Sequence, residues 1–261
     1  MPIKIDEIPK SFKSYFGENI DIKFPRQGYT SNVGIVHSQN RNYVIKRTKG
    51  VQFCLWLNKE VQILSCLTRS NLSIPKVYDF YEDKTELQSW VVMEFIEGET
   101  IRSFLSREHN QEKRNKVIFN FGKTLSMIHS TNCPSELKAE SQWLNEMLIQ
   151  AEYNINHYKV DGSRNLLHNL IENKPSPVKQ TLIHGDFTID NVLVKDEEIT
   201  GVIDWSGGAF GDPRYDITLA IRSKPNIFEN DSEVNIFFEG YGERALNENE
   251  NEYFNGLYEF F

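Results

Sequence analysis

Asp186, Asn191 and Asp204 sit at the two ends of a stretch that closes most readily on itself as a β-hairpin. Val192, Leu193 and Val194 make a short apolar run suited to a strand, Lys195-Asp196-Glu197-Glu198 is a polar reversal, and Thr200 to Ile203 supply the returning strand. Such a hairpin brings Asp204 back beside Asn191. The run leading into it reads His184-Gly185-Asp186-Phe187-Thr188-Ile189-Asp190-Asn191. An isolated Asp or Asn ordinarily serves a turn, and His-Gly-Asp alone is a weak signal. Strand-forming residues placed between three oxygen-bearing side chains are a stronger one.

Those three groups suit phosphoryl transfer. A carboxylate can orient a substrate hydroxyl and take its proton, while an amide and a second carboxylate can hold magnesium on a nucleoside triphosphate. His184 is expected to brace the loop as a neutral core histidine, because Asp186 already fills the base position. Bulk properties narrow the field further. The formal net charge of -8 disfavours nucleic acid as a partner, and no apolar run is long enough to span a bilayer. The start, Met1-Pro2-Ile3-Lys4, lacks the plan of a signal peptide, so a soluble cytoplasmic protein is expected. Cys54, Cys66 and Cys133 show neither metal nor redox spacing and read as free thiols.

The N-terminal part alternates strands with one helix. Gly28 to Val36 is a turn-rich segment entering a strand, and Tyr43-Val44-Ile45-Lys46 returns, with Lys46 expected at the strand end. Phe53, Leu57, Glu60, Val61 and Leu64 have helical spacing, which sets Glu60 beside an apolar face where it can hold the Lys46 ammonium. Trp90 to Ile96 is a continuous buried-strand pattern ending at Glu97-Gly98-Glu99. Beyond it, Ile118, Phe121, Leu125 and Ile128 form a helical stripe ended by His129, and Trp143, Met147 and Ile155 support further helices. Asp212 and Asp216 are expected to be scaffold at the start of a helix. Asp231, Glu233 and Glu239 read as solvated charges, and the Asn/Glu run from Asn247 to Glu252 as a solvated turn. The aromatic end, Tyr253 to Phe261, is expected to pack.

Taken together, His184-Gly185-Asp186 through Asn191, Ile203-Asp204-Trp205, Gly211-Asp212-Pro213 and Tyr215-Asp216 resemble the aminoglycoside phosphotransferase and choline kinase-like family, over nearly the whole chain. The resemblance implies an α+β fold of the bilobal protein kinase-like type. A small antiparallel-sheet lobe over residues 1–96 would bind nucleotide, and a larger, mainly helical lobe over 97–261 would carry the catalytic and acceptor residues. It implies Asp186 as catalytic base, Asn191 and Asp204 as magnesium ligands, and Lys46, held by Glu60, as the triphosphate-orienting cation. ATP or GTP would be the donor. Gly28 and Gly34 are what remains of a phosphate-covering loop, and Glu94, Phe95 and Ile96 form a hinge facing the base, with Met93 lining the pocket. The small hydroxylated acceptor looks most like that of the antibiotic-modifying branch, in which Asp190, Glu259 and the terminal carboxylate of Phe261 would meet substrate ammonium groups. The stretch after Arg222-Ser223 lacks an acidic pair found near there in aminoglycoside enzymes. The alternatives are a metabolic kinase for a choline-like, sugar or amino-alcohol acceptor, and a non-catalytic nucleotide-binding pseudokinase. Monomer and homodimer are both open.

Overall fold

A computed structural model describes residues 3–17, 20–25, 30–38, 41–138, 141–222, 228–244 and 246–261. Gly28 lies outside them. Chain contacts divide the protein into an N-terminal unit, Met1–Glu97 with Gly201–Ser206, and a C-terminal unit, Gly98–Thr200 with Gly207–Phe261. Cys54, Cys66 and Cys133 are free thiols, and no helix among the described residues is long and apolar enough to cross a membrane.

The N-terminal unit holds α1 (Lys13–Phe16), β1 (Asp21–Lys23), β2 (Asn32–His37), β3 (Asn42–Lys49), α2 (Val51–Leu67), β4 (Val77–Asp83) and β5 (Gln88–Glu94). Its five-stranded sheet runs in the order β1-β2-β3-β5-β4, each neighbouring pair antiparallel. The unbroken apolar run of β5 is explained by burial on both faces. Trp90 and Val92 pack with Phe12, Phe16, Tyr43 and Ile45, while Val91 and Met93 pack with Leu57 of α2.

Lys46 does not end its strand. It lies within β3, which continues to Lys49. The polar residues that follow are accommodated by partners: Arg47 is buried, donates to Glu7 at 2.8 Å and Asn32 at 2.9 Å, and its guanidinium carbon lies 5.2 Å from the Trp90 ring centroid. Strand alternation puts Ile45 and Arg47 on one face and Lys46 on the other, toward α2.

The C-terminal unit holds β6 (Glu99–Thr100), α3 (Ile101–Arg107), α4 (Gln111–Ser130), α5 (Trp143–His157), α6 (Arg164–Glu172), β7 (Thr181–Ile183), β8 (Val192–Lys195), β9 (Glu198–Val202), β10 (Ala209–Gly211), α7 (Pro213–Ile221), α8 (Asp231–Tyr241) and α9 (Glu248–Tyr258). The strands form a β10-β7 pair and a β6-β8-β9 sheet. Asp196 and Glu197 reverse the β8–β9 hairpin at φ of 50° and 66°, the left-handed conformations a tight two-residue turn requires. The predicted stripe of Ile118, Phe121, Leu125 and Ile128 on α4 is fully buried, and each such side chain contributes roughly 1.5–3 kcal/mol. Against it α8 packs backbone to backbone. A Cβ on Gly122 would fall 2.0 Å from the Phe237 carbonyl oxygen, and one on Gly240 would fall 2.0 Å from that of Phe119.

Two surface expectations need correction. Glu233 is fully buried, because Arg114 of α4 reaches it with Nε at 2.7 Å and Nη2 at 3.0 Å, so α8 is ion-paired to α4 from within. The Asn247 to Glu252 run is no solvated turn. Asn247 caps α9, its side chain accepting from the Glu250 amide while Glu250 accepts from the Asn247 amide. Asn-x-x-Glu before an aromatic run is a helix-start signal, and it outweighs the run's polarity. The chain end packs as expected, with Phe254, Leu257 and Phe260 fully buried.

Candidate active site

Asp186 follows β7 in a loop fixed at several points. The Asp216 carboxylate accepts the His184 amide at 2.6 Å and the Gly185 amide at 2.8 Å. His129, at the end of α4, lies 3.3 Å from Asp216 through Nε2 and 2.9 Å from the Tyr241 hydroxyl through Nδ1. His184 is fully buried and accepts the Asp186 amide on Nδ1 at 3.2 Å, which is the bracing role expected of it. Phe187 stacks on Phe121 at 4.7 Å between ring centroids, tying the loop to α4. Gly185 has φ 79°, and a Cβ there would lie 2.2 Å from the Gly207 carbonyl oxygen, so both the conformation and the space require glycine. Asp212 caps α7 by accepting the Arg214 amide at 3.0 Å. Asp212 and Asp216 are thus scaffold, the first capping α7 and the second bracing the loop.

Asn191 immediately precedes β8. Its Nδ2 donates to the Asp186 carbonyl at 2.8 Å and to Asp186 Oδ2 at 2.7 Å. The other carboxylate oxygen, Oδ1, accepts from the Tyr258 hydroxyl at 3.2 Å. Burial and the neighbouring Asp186 charge push the Tyr258 phenol well above its ordinary range, so it remains a donor.

In the N-terminal unit, Lys46 is held by Glu60 at 2.7 Å and also ion-pairs with Asp204. Burial would favour loss of the Lys46 proton, but the Asp204 and Glu60 charges outweigh it and hold the ammonium above its ordinary range. Asp204 sits at φ 65°, a left-handed conformation that costs a non-glycine residue on the order of 1 kcal/mol and is concentrated at functional sites. The segment is fixed by the Val202 amide, which donates to the Ser73 carbonyl at 2.9 Å.

Asn191 and Asp204 each carry an oxygen donor of the kind magnesium accepts. Asn191 spends its Nδ2 on Asp186, so its amide oxygen is the atom turned to other use, and the Asp204 side chain is 45% exposed. No cluster of three or more His, Cys, Asp or Glu able to hold a metal occurs among the described residues.

The remaining candidates divide. Met93 is buried core beside Val91 and Leu57. The Glu94 amide donates to the Lys76 carbonyl at 2.8 Å and its carboxylate accepts the Lys76 amide at 3.2 Å; Phe95 and Ile96 follow β5. Gly34 lies inside β2, where a Cβ would come 2.8 Å from Ile22 Cγ2, so packing accounts for the glycine. Asp190 accepts two hydrogen bonds from Arg102, at 2.6 and 2.7 Å. Glu259 is ion-paired with Arg222, whose guanidinium carbon lies 4.7 Å from the Tyr258 ring centroid. Phe261 is 43% exposed. Sequence reasoning missed Tyr258, Arg102 and Arg222. No local pattern marks them, since their contacts come from residues distant along the chain.

The model of the phosphotransferase enzyme family matches residues 21–253. An aminoglycoside 3'-phosphotransferase of Niallia circulans is 27% identical over 219 residues, which cover 78% of this chain and 79% of that protein. Among solved structures, a thermostable mutant of aminoglycoside phosphotransferase APH(4)-Ia, in a ternary complex with AMP-PNP and hygromycin B, superposes with a TM-score of 0.71 at 19% identity, over 95% of this chain and 88% of that one. A spectinomycin phosphotransferase complexed with ADP and spectinomycin gives 0.66 at 21% identity, over 98% and 85%. At these identities the structures establish a shared α+β fold, that of the kinase-like antibiotic phosphotransferases.

Proposed function

From the premise that the chain belongs to the phosphotransferase enzyme family, we propose that it moves the γ-phosphoryl group of ATP or GTP to a hydroxyl of a small, aminoglycoside-type molecule. Asp186 orients that hydroxyl and takes its proton as the oxygen attacks phosphorus in line. Lys46, fixed by Glu60, orients the triphosphate. Magnesium held by Asn191 and Asp204 would offset the charge of the transferring group. Phe95 and Ile96 contribute the hinge contacts to the base, because the Glu94 amide is committed to Lys76. The observation that carries the reading is the Asp186 carboxylate, held by Asn191 on a loop braced through Asp216. The acceptor class is supported by the likeness to an aminoglycoside 3'-phosphotransferase, and the solved neighbours' complexes with AMP-PNP or ADP support the nucleotide donor.

A second reading has its own observation. Asp190 and Glu259, the acids that would meet substrate ammonium groups, are already neutralised by Arg102 and Arg222. That favours a hydroxylated acceptor carrying fewer cations, as in a metabolic kinase. Magnesium-dependent triphosphate consumption across kanamycin, hygromycin B, spectinomycin, choline and simple sugars, with Asp186→Asn alongside, separates the two. Turnover with an aminoglycoside that is lost in the variant upholds the first reading, and turnover with a neutral alcohol alone selects the second. Triphosphate bound with no turnover on any acceptor would leave an acceptor outside the panel or the non-catalytic nucleotide-binding alternative.

A further inference from the structure

One oxygen of the proposed base is engaged by a hydroxyl of the protein itself. Tyr258 Oη donates to Asp186 Oδ1 at 3.2 Å, the contact an acceptor alcohol would make, while Asn191 covers Oδ2. We propose that Tyr258 is a specificity-determining residue whose phenol stands in for the acceptor hydroxyl, keeping the base occupied against water until an acceptor alcohol displaces it. The inference rests on the reading of Asp186 as base.

The surroundings hold the phenol in place. Tyr258 is the last residue of α9, and the residues after it are latched. The Glu259 carbonyl accepts the Asp161 and Gly162 amides at 3.1 and 2.8 Å, and the Phe260 carbonyl accepts Asn154 Nδ2 at 2.8 Å. Phe260 is fully buried, and Arg222, paired with Glu259, lies over the Tyr258 ring. A hydroxyl fixed this way loses little entropy on bonding the carboxylate, whereas water must be immobilised to reach the same oxygen. An alcohol brought in by the rest of its acceptor molecule arrives with that cost already met. Release needs no movement of α9, since rotation about the C–O bond turns the proton away.

The test needs no acceptor. With magnesium ATP and water alone, Tyr258→Phe is expected to raise triphosphate hydrolysis about 10-fold, the scale of one hydrogen bond to a charged group. Tyr258→Leu, which also removes the ring beneath Arg222, should show a rise at least as large. In the double variant Asp186→Asn, Tyr258→Phe the gain should vanish, because it acts through the base; a packing defect would not depend on Asp186. A second readout is independent of turnover. With 3-fluorotyrosine placed at position 258, the fluorine resonance should move on Asp186→Asn. Hydrolysis no higher in Tyr258→Phe than in the wild type, with Asp186→Asn still impaired, overturns the proposal and leaves the base assignment standing. A rise that persists in the double variant overturns it too. Full phosphoryl transfer to an acceptor in Asp186→Asn would instead sink the base assignment.

Discussion

The Asp216 carboxylate accepts the backbone N–H of His184 at 2.6 Å, and both residues are fully buried. The proposed base is therefore positioned from a helix that begins well after it in the chain. Through its other oxygen Asp216 also holds Gly185, and His129 and Tyr241 extend the network to α4 and α8. A carboxylate suits this place because it only accepts, and the two loop amides only donate. Asp216→Asn brings an amide that can turn just one acceptor oxygen toward them, leaving a buried N–H unsatisfied at a cost of about 1–3 kcal/mol. The expected outcome is a lower melting temperature and a fall in kcat, with triphosphate affinity retained because Lys46 and Glu60 are untouched. Calorimetry and nucleotide titration would check it; a kcat equal to the wild type would show that the loop does not depend on this brace.

The Lys46–Glu60 pair makes a different kind of prediction, one that separates stability from chemistry. Both residues are buried, at 8% and 2% exposure, so neither tolerates loss of the other. Lys46→Met leaves the Glu60 charge uncompensated and should destabilise the protein by roughly 3–5 kcal/mol. Adding Glu60→Met should restore much of the stability, since a buried ion pair replaced by apolar groups of similar volume is often neutral. Turnover should stay low in both variants. If the double variant regained activity, Lys46 would be a structural residue and the triphosphate would be oriented by another group.

Much of this was legible in the sequence for a physical reason: short-range geometry carried it. The β8–β9 hairpin, the α4 stripe and the placing of Glu60 on an α2 face follow from periodicity, and Glu60 does meet Lys46. What stayed hidden depends on contacts made across the fold. Nothing local says that Asp204 will pair with Lys46, that Glu233 will be buried on Arg114, or that Tyr258 will reach Asp186. The apolar run Tyr43-Val44-Ile45 stops at Lys46, yet the strand continues because Arg47 is buried there by partners as distant as Glu7 and Trp90. The α9 cap was readable in Asn247 and Glu250; polarity alone misdirected the reading of that run.

Asp204 combines a left-handed backbone with the proposed metal-binding carboxylate. Asparagine tolerates φ near 65° about as well as aspartate, so Asp204→Asn should preserve the loop while removing a negative charge. The expected result is an apparent magnesium requirement raised on the order of 10-fold or more, since mutating even the outer-shell partners of metal ligands typically costs about 10–100-fold. Titrating magnesium at saturating triphosphate reads this directly. An unaltered magnesium dependence would remove Asp204 from the ligand set.

Acid should weaken the α4–α8 contact through the Glu233 carboxylate. Burial would raise the Glu233 carboxyl, but hydrogen bonds from Arg114, the Glu229 amide and Gln111, together with the Arg114 charge, outweigh it and hold its pKa below the ordinary carboxylate value. Glu108 and Glu229 also face this guanidinium, which keeps its own charge throughout. A depressed carboxyl stabilises the fold at every pH above its unfolded pKa of about 4.3, and that stabilisation is lost as pH falls through the lower, folded value. The wild-type melting temperature should therefore drop with an added slope below about pH 4. Glu233→Gln, which leaves Arg114 without its closest charge partner in a fully buried position, should be less stable at pH 7 by roughly 3–5 kcal/mol, and its acid slope should be shallower. Melting curves from pH 7 to pH 3 for the two proteins decide it: parallel curves would mean that Glu233 does not titrate with folding, and crossing or converging curves that its ion pair with Arg114 sets the acid limit of the C-terminal unit.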